Sequence, residues 1–202
     1  MITANEALQR LKEGNTFFVS NHRATIEIGD QERQELVGAQ SPFAVILGCS
    51  DSRVPAELVF NQGLGDLFVI RVAGNVVAPS QIGSVEFAAA TFGTPLVVVM
   101  GHSSCGAVQA TLDELRQPSE QRSPNLRAIV DRISPAVEAI VSDTGHDDNA
   151  LILSKAVRAN IYASVDNLLH GSEILETLVS DGALKVVGAE YNLETGVVEF
   201  LD

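Results

Sequence analysis

Phe43-Ala44-Val45-Ile46-Leu47-Gly48-Cys49-Ser50-Asp51-Ser52-Arg53 is the stretch on which the fold turns. The run Phe43–Leu47 has no polar side, so a strand made of it is buried on both faces, as the strands of a parallel sheet are. Gly48 ends the run, and a short polar segment follows with a thiol, a carboxylate and a guanidinium. The same layout returns downstream. Leu96–Met100 is an apolar strand closed by Gly101, and His102-Ser103-Ser104-Cys105-Gly106 comes directly after it. A further strand is expected over Asp66–Val72.

Helices fill the intervals. Thr3-Ala4-Asn5-Glu6 reads as a capping box opening a helix through Leu8, Leu11, Phe17 and Phe18. A polar loop over Ser20–Gly29 and a short helix over Gln31–Gly38 follow. Pro79-Ser80 starts a helix through Val85, Phe87 and Ala88–Ala90 that Gly93 stops. Helices are also expected over Ala107–Arg116, Asn125–Val141 (kinked by Pro135), Asp147–His170 (closed by Gly171) and Ser172–Val179. The strand Leu184–Tyr191, the turn Asn192–Gly196 and the strand Val197–Leu201 form a hairpin. The class is therefore α/β: a mostly parallel central sheet with one antiparallel edge strand, helices on both faces, and an N-terminal helical arm over 1–38. No repeat or linker divides the chain, so 1–202 is expected to be a single domain.

Composition removes several functions. The chain has 202 residues, 46% hydrophobic and 19% charged, which suits one sizeable core and excludes wholesale disorder. The formal net charge of −13 repels phosphate backbones and anionic lipid, so neither nucleic acid nor a membrane is expected as a partner. The apolar runs are strand-sized, and the N-terminus lacks the layout of a secretory signal, which points to the cytoplasm. Only two cysteines are present, Cys49 and Cys105. They do not read as a disulfide framework, and they lack the C-x-x-C spacing of a redox pair.

In open α/β sheets, ligands gather outside the carboxyl ends of strands where the winding reverses. If the strands before Cys49 and His102 are neighbours, Cys49, His102 and Cys105 meet at one point. Two thiolates and an imidazole are a set that zinc favours, and three protein ligands leave one tetrahedral position open for chemistry. The Asp51 carboxylate is an alternative fourth ligand that would close the site. Of the other histidines, His22 and His146 lie in polar stretches and His170 ends a helix, so none has an evident claim.

Read together, Cys-x-Asp-x-Arg followed by His-x-x-Cys resembles the β-class carbonic anhydrases. The likeness runs through CSDSRVPAE at Cys49–Glu57 and GHSSCGA at Gly101–Ala107. It extends to Gln40-Ser41-Pro42, GDLFVIRVAGN at Gly65–Asn75, SVEFA at Ser84–Ala88 and EYNLETG at Glu190–Gly196. The resemblance implies reversible hydration of carbon dioxide to bicarbonate and a proton, with one zinc ion per subunit on Cys49, His102 and Cys105. Zinc lowers the pKa of a bound water, and the resulting hydroxide attacks the carbon. Two thiolates cancel the charge of the ion, so the activity optimum is expected to be more alkaline than at a three-histidine site.

The resemblance also assigns roles around the metal. Asp51 accepts a hydrogen bond from the nucleophile, and Arg53 keeps that carboxylate off the metal. Gln40, Phe68, Ala73 and Phe87 match positions around the substrate, and a backbone N–H near Gly106 helps to hold bicarbonate. Core packing explains Phe68 and Phe87 nearly as well. The implied assembly is a homodimer, with Gln40 and Phe68 serving the neighbour's zinc, paired into a tetramer. The N-terminal arm either packs on a neighbouring subunit or covers its own core. A regulated subclass binds inhibitory bicarbonate through a Trp three residues before the first Cys, with an Arg and a Tyr. Arg71 and Tyr191 match, but Ile46 occupies the Trp position and the chain contains no Trp, so the two are expected to be structural. Two other functions stay open. One is hydrolysis of carbonyl sulfide or carbon disulfide on the same ligands; the other is a non-catalytic zinc protein sensing bicarbonate, against which the intact Arg53 argues.

Overall fold

The computed structural model describes residues 2–20, 29–117, 123–143 and 148–201. Most of the loop expected over Ser20–Gly29, together with His22, His146 and Asp147, lies outside the described residues.

The strands are β1 (Ala44–Gly48), β2 (Leu67–Arg71), β3 (Leu96–His102), β4 (Lys185–Tyr191) and β5 (Val198–Leu201). They form one sheet in the order β2-β1-β3-β4-β5, parallel throughout except for the β4/β5 pair. Every residue of β1 and β3 is buried, as their unbroken apolar runs require. Successive side chains point to opposite faces, so each run feeds two cores. Val45, Leu47, Val97 and Val99 enter one cluster; Ala44, Ile46, Leu96, Val98 and Met100 enter the other.

The first cluster is covered by α4 (Pro79–Phe92), α5 (Gly106–Arg116), α6 (Pro124–Asp143), α7 (Asn149–His170) and α8 (Glu173–Ser180). Val85, Val108, Ile133, Ile161 and Leu175 are the side chains by which those helices enter it. Gly93 ends α4 in the left-handed conformation at φ 66°, and α6 continues through Pro135 as one helix. The opposite face carries α1 (Ala4–Val19) and a four-residue helix, α3 (Ala56–Val59). A short exposed helix, α2 (Asp30–Glu35), precedes β1. Helices therefore cover both faces. Among the described residues, no helix is long and apolar enough to cross a membrane.

The Thr3 hydroxyl and the Glu6 carboxylate form the expected capping box at the start of α1. The helix covers its own chain's core through Ala7 and Leu11, and Asn15 fastens its far end. Asn15 Nδ2 donates to the Val59 and Gly196 carbonyls at 3.2 and 2.9 Å, and its Oδ1 accepts from the Val198 N–H at 2.9 Å. Contact is closest at Gly14, where an added Cβ would sit 1.8 Å from the Phe60 carbonyl oxygen. Backbone at that distance cannot yield as a side-chain tip can. Gly14→Ala is expected to push α1 off the sheet and destabilise the fold by about 1–3 kcal/mol, read as a lower urea midpoint. An unchanged midpoint would disprove this packing.

Candidate metal centre

From β1 the chain winds to β2 on one side, then crosses back to β3 on the other, so the strand order reverses between β1 and β3. Cys49 is the first residue past β1. β3 runs beyond the Met100 end expected from its apolar run, pairing Gly101 with Glu190 and His102 with Tyr191. His102 is thus held by the sheet rather than by a loop. A turn through Ser104, at φ 55°, then brings Cys105 to the N-cap of α5. The ligand atoms of Cys49, His102 and Cys105 all lie within 4.8 Å of one another, and all three residues are buried.

The imidazole is oriented by its other nitrogen. Nδ1–H donates to the Ser103 carbonyl at 2.9 Å, which fixes the tautomer and leaves Nε2 with a lone pair. That Nε2 is fully buried and has no hydrogen-bond partner. The two thiols titrate as a pair. The Cys105 S–H beside it holds Cys49 well below the ordinary thiol range, against its burial, with further help from His102 and the Gly74 N–H. Cys105 is pushed up by that same contact with Cys49 and by burial, while the amides of Ala107 and Val108 at the start of α5 pull the other way. Burial opposes the charged form of His102, but the neighbouring Cys49 raises its pKa overall.

Asp51 stands at the edge of this cluster, with Oδ2 3.9 Å from His102 Nε2. Both of its carboxylate oxygens are engaged by Arg53. Arg53 donates from its backbone N–H and from Nε to Oδ1, each at 2.9 Å, and from Nη2 to Oδ2 at 2.7 Å. That fork holds the Asp51 carboxyl far below the usual carboxylate range, so it is ionised at any working pH.

The sequence matches the carbonic anhydrase family over residues 44–198. Carbonic anhydrase 2 of Mycobacterium tuberculosis is 36% identical over 190 residues, covering 94% of this chain and 89% of that protein. The carbonic anhydrase of Mycolicibacterium smegmatis is 38% identical over 193 residues, covering 96% and 91%. The solved β-carbonic anhydrase CcaA superposes with a TM-score of 0.77 at 27% identity, covering 96% of this chain and 95% of that one.

The chain belongs to the β-class carbonic anhydrases.

Within this β-carbonic anhydrase, the sequence-predicted residues fall in five places. Cys49, His102, Cys105, Asp51 and Arg53 form the centre just described. Phe68 on β2 and Phe87 on α4 lie 6.2 Å apart, centroid to centroid, and share an aromatic group with Phe92, which sequence reasoning did not single out. Ala73 begins a single 3-10 turn, Ala73–Asn75, and Gly106 is the first residue of α5. Gln40 lies in exposed chain ahead of β1.

Contacts invisible in the sequence complete the centre. Arg71 donates from Nε to the Cys49 carbonyl at 3.1 Å and from Nη2 to the Asp51 carbonyl at 2.7 Å, clamping the ligand loop. The Gly74 N–H donates to Cys49 Sγ at 3.3 Å. Tyr191 packs its ring on Phe18, 6.4 Å between centroids, and Ile46 is buried in the sheet.

Proposed function

We propose that this chain hydrates carbon dioxide reversibly to bicarbonate and a proton with one zinc ion per subunit, held by Cys49, His102 and Cys105. The observation that carries the reading is the buried, unpartnered His102 Nε2 facing two sulfurs. A buried polar nitrogen left alone is costly, and two thiols with one imidazole nitrogen are a donor set that suits zinc with a fourth position free. Zinc bound there supplies Lewis acidity that lowers the pKa of a water.

The chain's own residues do the rest. Asp51, ionised and steered by Arg53, accepts a hydrogen bond from the attacking oxygen and orients its lone pair toward the substrate carbon. Arg53, permanently charged and forked, keeps the carboxylate from joining the metal ligands. Phe68, Ala73 and Phe87 offer an apolar wall to an uncharged substrate, and the backbone N–H at Gly106 faces the negative charge of the product.

The reading includes a homodimer, in which Gln40 and Phe68 serve the neighbouring subunit's site, and pairing of dimers into a tetramer. Support comes from β2, an outermost strand that only half buries Leu67, Phe68 and Val69, and from Phe87 beside it, 52% exposed. An unpaired apolar edge of this kind is normally covered. A reducing compartment such as the cytoplasm fits two thiols that must stay free.

Stopped-flow hydration with a pH indicator, from mildly acidic to alkaline pH, tests the reading on zinc-loaded protein. Fast turnover that rises with pH is expected. Absence of hydration at every pH would overturn it. Turnover of carbonyl sulfide would then assign the hydrolase, and silence toward both substrates the sensor.

A further inference from the structure

We propose that Asn160 and Ser164 of α7 are positioning residues for the metal centre, holding the Gly74 N–H on the Cys49 sulfur and so setting how much electron density that thiolate gives the metal. The inference rests on the reading of Cys49 as a zinc ligand.

The face of α7 toward the sheet is otherwise apolar, with Ile152, Ala156, Val157, Ile161 and Leu168 buried along it. Asn160 and Ser164 interrupt it and are almost wholly buried, at 2% and 3% exposure. Polar groups there lower stability unless they are hydrogen-bonded. Both donate to the same three-residue turn. Asn160 Nδ2 reaches the Gly74 carbonyl at 2.8 Å, and Ser164 Oγ reaches the Asn75 carbonyl at 3.0 Å.

The turn needs such support. Gly74 and Asn75 are consecutive left-handed residues, at φ 68° and 45°, and the second is not glycine. Backbone held this way is strained at a non-glycine residue and persists only where its surroundings fix it. A side chain at Gly74 is disfavoured as well, by its φ of 68° and by tight contacts, a Cβ lying 2.8 Å from Ile133 Cδ1 and 3.0 Å from Ala107 Cβ. What the strained turn presents is one N–H, 3.3 Å from Cys49 Sγ. Removing the carbonyl anchors lets the turn relax and draws that N–H off the sulfur. A thiolate relieved of its donor is more electron-rich, and its sulfur is no longer held in place by the turn, so the ligand set is less well organised for the metal.

Cobalt(II) in place of zinc gives a readout besides activity, the thiolate-to-metal charge-transfer absorption. Asn160→Leu and Ser164→Ala are each expected to move that band to longer wavelength and to weaken zinc binding against a chelator by roughly 10- to 100-fold. Ser164→Ala removes a single hydroxyl, so it keeps the test available should Asn160→Leu fail to fold. Val157→Ala loosens the same helix without removing a hydrogen bond to the turn, and should leave the band in place. An unmoved band in folded Ser164→Ala, or the same shift in Val157→Ala, would overturn the proposal. Absence of a charge-transfer band in the unaltered protein would instead remove the zinc reading on which it rests.

Discussion

Cys105→Ser is expected to reduce carbon dioxide hydration to the uncatalysed rate and to leave the purified protein with far less than one zinc per chain. Three ligands are the minimum for a site of this kind, and a serine hydroxyl does not ionise near neutral pH as a thiol beside a metal does. The loss should span most of the catalytic enhancement, about 10⁶-fold or more for enzymes in general. Among the described residues, the only group of His, Cys, Asp and Glu with metal-binding spacing is Cys49, His102 and Cys105. Stopped-flow rates together with metal analysis check the prediction. A variant that kept both zinc and turnover would show that Cys105 is not a ligand.

Arg53→Met should give a different phenotype, full zinc content with hydration reduced by about 10²–10³-fold, the range for loss of one preorganised polar group at a reacting centre. The variant removes the Nε and Nη2 donors, while the backbone N–H of residue 53 stays on Oδ1. The Asp51 carboxylate, 3.9 Å from His102 Nε2, is then free to turn inward and occupy the position that a water needs. Arg53→Lys should restore little, because an ammonium cannot reproduce the two-pronged contact. Stability should hardly change, since the Arg53 side chain is 55% exposed and pairs that open to solvent contribute little. Retained zinc with unchanged turnover would show that the Asp51–Arg53 pair has no gating role. Loss of zinc would assign Arg53 to the architecture of the ligand loop instead.

Much of the fold was legible because its signals are local. The apolar runs of β1 and β3, the Thr3–Glu6 capping box and the Gly93 stop each reside within a few consecutive residues, and each appears where expected. The gathering of Cys49, His102 and Cys105 was legible for a related reason: the three lie at the carboxyl ends of two recognisable strands, and only the adjacency of those strands had to be supplied. Strand length was less accessible. β3 extends to His102 because Gly101 and His102 find partners in Glu190 and Tyr191, which hydrophobic pattern cannot reveal. The four residues of α3 are too few to show a helical period. The roles of Asn160 and Ser164 are not legible in the sequence, because their partners lie 86 and 89 positions away and neither residue type signals such a bond. The Gly74 turn was hidden likewise, since a Gly-Asn pair announces a bend but not the sulfur it faces.

The central pairing of β1 with β3 also bears on how the protein comes into being. His102 and Cys105 are close neighbours along the chain, but Cys49 joins them only when two strands separated by β2 and α4 come together at the middle of the sheet. Closing that loop carries an entropic cost before any contact repays it, and non-local strand pairing of this kind slows folding. On a ribosome, the two late ligands would emerge well after the first, and the helix that braces the Gly74 turn later still. The three donors therefore come together only once β1 and β3 have paired. On the proposed reading a metal ion would follow the pairing of β1 with β3, and those two strands would have to come together without a template at their ends.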